Sequence, residues 1–500
     1  MWRSFATDSL VLLLTVFAPA AVTAAPPTPR EMATQIDQHL AKVWTENKVE
    51  PGPISSDAEF LRRAWLDLTG IIPPLNERAL TAKSGNFGVL GFLANPSPDK
   101  RFRLIDYLLD KPRHATHLTT LWRNAMLPRN NNVQLRFRDQ GFKGWLRQQF
   151  AGNRRYNDLV KDLLLARGAP TVGPALYFTS LGLKPEDIAA NSSRFFLGVQ
   201  IQCAQCHDHP FDHWTRKDFW GYAAFFGRLP KPRNANTVLF QNVQDMATGE
   251  IKFPESKKVV KPQFLGGKVS LDRSGGNRRQ RLVEWIVAKN NPFFARASVN
   301  RIWALLFGRG LVHPIDDMGK HNKASHPELL DDLAQYFVAT DYDLRNLIKT
   351  IAYTRAYQLS SVNKGGEEQA ALFARMSIKS LTAEQLYDCL IEAVRRRSGT
   401  RPNTNRQFFS ARGGYDANRM AFVNKFRAPT QGATDYQSGI PQALTMMNGS
   451  LIRQITGDRR SDLLAILEAP FFTDKQRIDT LFLSTLTRKP TKTEKEKFLA

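Results

Sequence analysis

Two of the chain's three cysteines and three of its nine histidines fall within one short stretch, residues 203–213. Cys203, Cys206 and His207 form a Cys-x-x-Cys-His motif. At this spacing two thiols can form thioether bonds to one haem while the next imidazole binds the iron. The motif predicts covalently attached haem c, with Cys203 and Cys206 as attachment points and His207 as the axial ligand.

The same stretch is also compatible with a metal site or a disulfide. Cys203, Cys206, His209 and His213 follow the pattern C-x2-C then H-x3-H, four ligands suited to tetrahedral zinc or another divalent metal. The cysteine pair lies too close to the histidine pair for a zinc finger, which places about twelve or more residues between them. In the third interpretation Cys203 and Cys206 form a short-range disulfide, and the histidines are polar loop residues.

Haem and metal require different surroundings for these side chains. A porphyrin needs an apolar slot beside the thiols, and the aromatic stretch 219–226 is the nearest wall. A metal ion would hold sulfur and nitrogen at about 2.0 to 2.3 Å from one point, with Asp208 and Asp212 orienting the imidazoles. A sixth haem ligand would have to come from elsewhere, with Met246 and Met318 as candidates.

The N-terminus predicts export. Arg3 precedes an apolar run at 10–21, and the small residues at 22–24 fit a signal peptidase site. Pro19 interrupts the run, which is too short for a transmembrane helix. We therefore expect residues 1–24 to be a removed signal peptide and the mature protein to be periplasmic or secreted, with no later transmembrane segment. Haem c is attached outside the cytoplasm, so compartment and motif agree.

The chain is strongly basic, with 70 Lys and Arg against 46 Asp and Glu and a formal net charge of +24. Outside the cytoplasm this charge favours an acidic redox partner, acidic polysaccharide or anionic lipid. Its arginine runs are short and scattered, so no nucleic-acid partner is expected. Three cysteines in 500 residues exclude a disulfide-stapled scaffold. Cys389 lies in a helical stretch and is predicted to be a buried structural thiol.

Apolar residues recur at helical spacing through both halves, which predicts a mainly α fold of two helical domains joined by a short β-containing connector. The first domain covers 25–228 and contains the loop, the connector covers 229–275, and the second domain covers 276–500. The predicted helices include 31–47, 57–70, 140–150, 156–166, 185–201, 281–289, 293–307, 327–339 and 344–357. Thr215 and Asp218 have the spacing of a capping box, which should begin the aromatic helix after the loop.

Two further sets of polar residues could have a role. His114 and His117 lie one turn apart on a predicted helix, where polar surface histidines are the favoured interpretation over a metal-binding pair. In the glycine-containing segment 307–319, His313, Asp316 and Asp317 could bind a cation, although capping of neighbouring helices is favoured.

Several of these motifs resemble a known pair of domains. The stretch 62–70, the loop 203–213 and the helix 218–226 resemble the planctomycete secreted cytochrome-like domain. Similarity to the companion domain of unknown function is found in the stretches 291–301, 307–319, 325–330 and 441–444. The resemblance implies an exported haem-binding protein without an established reaction.

Two classes of function remain open. The first is an exported redox or electron-transfer protein with one haem. The second is an exported cationic binding or scaffold protein that could engage acidic glycans, and its loop holds a non-haem metal or a disulfide. The sequence contains no nucleophile elbow, phosphate loop or zinc-protease helix, so whether the protein is an enzyme stays open.

Overall fold

The structure is a computed structural model that describes residues 25–77, 86–128, 133–169, 171, 173–232, 237–267, 277–362, 366–394, 417–426, 439–449, 451–453 and 462–500. The predicted signal peptide, 1–24, lies outside these residues. The described chain is mainly helical, as predicted. None of its helices has both the length and the apolar character needed to cross a bilayer.

The helices follow one another along both halves of the chain. The first half contains α1 (Pro29–Glu46), α2 (Asp57–Thr69), α3 (Val89–Ala94), α4 (Lys100–Leu109), α5 (Pro112–Met126), α6 (Val133–Ala151), α7 (Tyr156–Leu164), α8 (Leu176–Ser180), α9 (Pro185–Ser192) and α10 (Arg216–Ala223). The second half contains α11 (Arg278–Ile286), α12 (Phe294–Phe307), α13 (Pro327–Ala339), α14 (Leu344–Ala352), α15 (Glu367–Ala371), α16 (Ala383–Ala393), α17 (Ala417–Phe426), α18 (Ile440–Asn448), α19 (Asp462–Leu467), α20 (Asp474–Leu486) and α21 (Lys492–Leu499).

Local capping chemistry explains where several helices begin and end. The Ser56 hydroxyl accepts from the Glu59 backbone N–H at the N-terminus of α2. Gly70 ends α2 in the left-handed region, at φ 75°. The predicted capping box at Thr215 and Asp218 is confirmed at the start of α10.

The predicted helix 185–201 is shorter than expected. Its α-helical part ends at Ser192, and Ser193–Leu197 continue as a π-helical turn. A π turn inserts an extra residue into the helical repeat, so it redirects the side chains that follow. Apolar spacing alone does not reveal this change, because Phe195 and Phe196 are buried in either geometry.

One apolar core extends through both halves, from Met32 on α1 to Leu483 on α20. Tyr156 of the first half stacks on Phe294 of the second, with ring centroids 5.6 Å apart and planes 3° apart. Cys389 is buried, as predicted. The boundaries proposed near residues 228 and 276 stay predictions.

The predicted β-containing connector is not confirmed in its described parts, 229–232 and 237–267. Its pairing is limited to the isolated bridges Gly168↔Val243 and Lys252↔Val259. Each bridge joins single residues, and neither is extended into a ladder. The segment instead packs against α10, where the Gln263 backbone N–H donates to the Gly221 carbonyl at 2.9 Å.

Buried Asp316 joins the two halves by ion pairs. Its carboxylate, on a residue 7% exposed, accepts from Arg194 at 2.6 Å and also from Arg301. Arg194 belongs to the π turn and Arg301 to α12. Neither Asp316 nor Asp317 caps a helix, so the favoured capping interpretation of the 307–319 segment is wrong. Asp317 instead pairs with His321 at 3.1 Å.

The histidine pair on α5 is buried, which corrects the prediction of surface residues. His114 is 2% and His117 7% exposed. The His114 Nδ1 lies 2.7 Å from the Leu68 carbonyl oxygen, which only accepts, so Nδ1 carries the proton. Burial lowers the pKa of His114 to about 4 and that of His117 to about 3. Both imidazoles are therefore neutral at pH 7.

We predict that these two histidines destabilise the protein in mild acid. Their folded pKa values lie below the unfolded value of about 6.5, so protons bind preferentially to the unfolded chain. The free energy of unfolding that depends on their neutral form is fully present above pH 6.5 and is lost as the pH falls toward 3. At pH 5 each histidine should lower the free energy of unfolding by about 2 kcal/mol.

Urea unfolding of wild type and His117→Asn at pH 7 and pH 5 checks this, because asparagine is a polar side chain that does not titrate. The variant should lose about 2 kcal/mol less than wild type between the two pH values. Equal losses in wild type and His117→Asn would contradict the prediction.

A second prediction concerns Asp316. Asp316→Asn keeps the side-chain shape but leaves the buried charges of Arg194 and Arg301 uncompensated, so it should cost about 3 to 5 kcal/mol. Asp474→Asn removes an exposed partner of Arg477 and should change stability by less than about 1 kcal/mol. Chemical denaturation followed by tryptophan fluorescence gives both values. If Asp316→Asn unfolds at the same denaturant midpoint as the wild type, the ion pairs of Asp316 do not stabilise the fold.

Candidate functional site

The segment that leads into the Cys203–His213 loop contacts the second half of the chain. After the π turn, Gly198 adopts φ 69°, in the left-handed region. A Cβ at this position would lie 2.6 Å from the Met318 sulfur, so only glycine fits without movement. The Gly198 carbonyl accepts from the Met318 backbone N–H at 2.8 Å. The segment around Met318 therefore fixes where the loop begins.

The loop presents both thiols to solvent. Cys203 and Cys206 are exposed and free, and they are not joined by a disulfide. Ala204 between them is fully buried, and it anchors the 3-10 turn Gln202–Gln205 in the core. The Trp220 indole of α10 donates to the Gln205 carbonyl at 3.1 Å. Ala204 and Trp220 therefore fix the turn on its core side, and both thiols are exposed to solvent.

His207 has its two ring nitrogens in different surroundings. Nδ1 lies 2.8 Å from the Asp208 carbonyl oxygen, which can only accept, so Nδ1 carries the proton. Nε2 of this exposed side chain then keeps its lone pair. Metal-bound histidines commonly have this arrangement, in which a carbonyl fixes the tautomer and the other nitrogen binds the metal. The local geometry of His207 fits an axial ligand.

Asp212 lies between two imidazoles. Its side chain is 2% exposed, and one oxygen is 2.6 Å from His213 Nδ1 while the other is 3.7 Å from His321 Nδ1. Burial raises the pKa of Asp212, but the hydrogen bonds from His213 and the nearby imidazoles outweigh it and hold the pKa below its usual value. The carboxylate is ionised at neutral pH; its hydrogen bond orients the His213 ring, and the His321 ring lies within ion-pair distance.

His321 is the site residue that the sequence did not reveal. It comes from the second half, where its Nε2 pairs with Asp317 at 3.1 Å. Its ring lies near parallel to that of His209, with centroids 6.3 Å apart and planes 24° apart. A single histidine far along the chain has no local pattern that would connect it to the loop.

The predicted metal set is not gathered round one point. Within the described residues, no three His, Cys, Asp or Glu side chains are arranged to hold a metal ion. His213 is directed to the buried Asp212, whereas Cys203 and Cys206 are exposed. The loop is therefore not the closed, dry centre that a structural metal site requires.

The predicted aromatic wall is mostly inside the core. Four aromatic residues of the stretch 219–226 are buried, at 1% exposure or less: Phe219, Tyr222, Phe225 and Phe226. Trp220 is half-buried, while Phe211 is 75% exposed on the loop itself. Of the aromatic residues in the stretch 219–226, only Trp220 is therefore partly accessible beside the loop.

The remaining predicted ligands are Met246 and Met318, and neither lines the cavity beside the loop. A cavity of about 660 Å³ beside the approach is lined by Arg194, Gln200 and Gln202, among others, but not by the thiols or His207. Met318 packs against Gly198, and Met246 lies in the connector with its sulfur 3.6 Å from the Gln244 amide nitrogen.

Two family models match the chain. PSCyt2, a protein of unknown function (DUF1549), matches residues 35–231, which include the loop. PSD1, a protein of unknown function (DUF1553), matches residues 278–500, which include Asp316 and His321. No curated protein and no solved structure matches the chain. The chain therefore belongs to the planctomycete cytochrome-like pair, a PSCyt2 domain followed by a PSD1 domain.

Proposed function

We propose that this protein is an exported c-type haem protein with a redox or electron-transfer role. The observation that carries the proposal is the pair of exposed, free thiols at Cys203 and Cys206, followed by His207 with Nδ1 bound to a carbonyl. In this proposal the thiols attach the haem and His207 Nε2 binds its iron. Bound haem would supply reversible one-electron chemistry.

The surroundings of the loop support attachment. Thiols that face solvent are accessible to the enzymes that attach haem, whereas a buried cysteine such as Cys389 is not. The Asp208 carbonyl fixes the His207 tautomer, which leaves Nε2 as the nitrogen that can bind iron. The predicted signal peptide would place the chain in the periplasm or outside the cell, where haem c is attached.

The position of the loop also favours electron exchange over chemistry on an enclosed substrate. The aromatic residues of α10 are largely buried, so a haem here would keep an edge in solvent. Enzymes that activate small molecules usually place them in a concave, mostly apolar pocket. An exposed haem edge instead suits contact with another redox protein.

A second candidate is an exported cationic binding or scaffold protein with zinc or another divalent metal at the same loop. The arrangement that favours it is Asp212, which orients His213 and His321 from one buried carboxylate. In this candidate the net charge of +24 would serve acidic glycans. Metal analysis and a haem spectrum separate the two candidates on one sample.

The test is to express the full chain in a host with c-type haem maturation. We expect a Soret band and, after denaturation, one haem that remains attached to the protein. Cys203→Ser with Cys206→Ser should abolish attachment. His207→Ala should keep the haem but lose the low-spin spectrum, because the iron loses its proximal ligand.

The matched control is His213→Ala, which changes a neighbouring imidazole that is directed to Asp212 and should leave the spectrum unchanged. Protein without covalent haem, from cells that mature another c-type cytochrome, would contradict the proposal. Stoichiometric zinc in that protein would favour the second candidate.

A further inference from the structure

Phe211 is an unusually exposed aromatic residue beside the proposed haem. Its side chain is 75% exposed, and it lies four residues after His207 on the same loop. One exposed apolar residue is common on protein surfaces and by itself indicates nothing. Its surroundings, however, are strongly basic.

The connector brings a turn of basic residues next to this loop. The turn is closed by the Phe253 backbone N–H, which donates to the Lys258 carbonyl at 2.9 Å. The Arg216 guanidinium of α10 lies over the Phe253 ring at 4.9 Å. The backbone N–H of Arg216 in turn donates to the Asp208 carboxylate at 2.8 Å. The Phe253–Lys258 turn and the Cys203–His213 loop therefore both contact Arg216, which lies in the first turn of α10.

Five exposed lysines lie on this turn and on the first turn of α10. The five are Lys217, Lys252, Lys257, Lys258 and Lys261, and all are exposed. None of them forms an ion pair with a carboxylate in the described part of the chain. Glu250 nearby already pairs with Arg278 at 2.8 Å, which leaves Glu255 and Asp208 as exposed acids beside the lysines. The rim of the loop is therefore positively charged.

We propose that Phe211 and these five lysines form the docking surface for an acidic protein that exchanges electrons with the haem on the loop. This inference rests on the proposed function. An exposed aromatic residue with a charged rim has the composition of a protein–protein interface, in which aromatic residues supply affinity. The basic rim attracts an acidic partner and orients its approach.

A protein partner fits this surface better than an acidic polysaccharide. The lysines and the aromatic residue are gathered around one loop and one turn. A polysaccharide chain would use the charges wherever they lie along its length and would gain little from one phenylalanine. The contribution of Phe211 to binding therefore distinguishes the two kinds of partner.

The experiment measures binding of the haem-loaded full chain to two soluble probes at low ionic strength. One is a random copolymer of glutamate and tyrosine, which carries both acidic and aromatic groups, and the other is alginate. The variant Lys252→Glu, Lys257→Glu, Lys258→Glu and Lys261→Glu should bind the copolymer about tenfold more weakly than wild type. The control replaces four exposed lysines near the C-terminus and should bind the copolymer within about twofold of wild type: Lys475→Glu, Lys489→Glu, Lys492→Glu and Lys497→Glu.

The variant Phe211→Ala removes the aromatic residue of the docking surface and should weaken copolymer binding about fivefold. Phe471→Ala, at a residue 79% exposed, is the matched control and should have no effect. We call the variant with the four lysine changes at 252, 257, 258 and 261 the connector variant. If copolymer binding is unchanged both in Phe211→Ala and in the connector variant, the proposed docking surface is wrong. Alginate binding that falls with the lysines while Phe211→Ala changes nothing would assign the surface to polysaccharide instead. A shifted Soret band in Phe211→Ala would place this ring on the haem and not on a partner.

A redox readout separates this inference from the proposed function. Oxidation of the reduced haem by ferricyanide, an anion, should slow in the connector variant and stay unchanged in the C-terminal control. Equal rates in all three proteins would overturn the basic rim while leaving the haem in place. Protein that carries no haem gives no oxidation signal, and this outcome overturns the proposed function itself.

Discussion

The structure around the loop depends on one buried carboxylate. Asp316 binds Arg194 of the π turn and Arg301 of α12, so an element of each half is tied to the same charge. A buried charge of this kind is tolerated only when it is fully paired, because desolvation costs several kcal/mol per ion. Arg194 also donates to the Ala125 carbonyl of α5 at 2.8 Å. The position of the loop is therefore a property of both domains together.

This arrangement explains how an exposed loop keeps a defined geometry. Gly198 and Met318 fix its beginning, Trp220 holds its turn, and Asp212 binds imidazoles from both domains. The second domain thus contributes to the site although it contains none of the Cys-x-x-Cys-His residues. The two domains also share one apolar core.

Much of this architecture was predictable, because helical periodicity and capping residues act locally. The box at Thr215 and Asp218 and the motif at 203–207 needed no distant information. Long-range packing decided the rest. Buried His114 and His117 resembled a surface pair because their polarity gave no sign of burial in the core. His321 reaches the loop only through the tertiary fold, and neither its neighbours nor its spacing indicated that contact.

We propose that haem is joined to Cys203 and Cys206. Proteolysis of the purified protein after Arg and Lys releases the peptide 195–216, which contains both cysteines, and mass spectrometry of this peptide shows whether haem is attached. We expect a peptide that carries one haem and has no thiol available for alkylation. A peptide of unmodified mass with two alkylatable thiols, from cells that mature other c-type cytochromes, would contradict it.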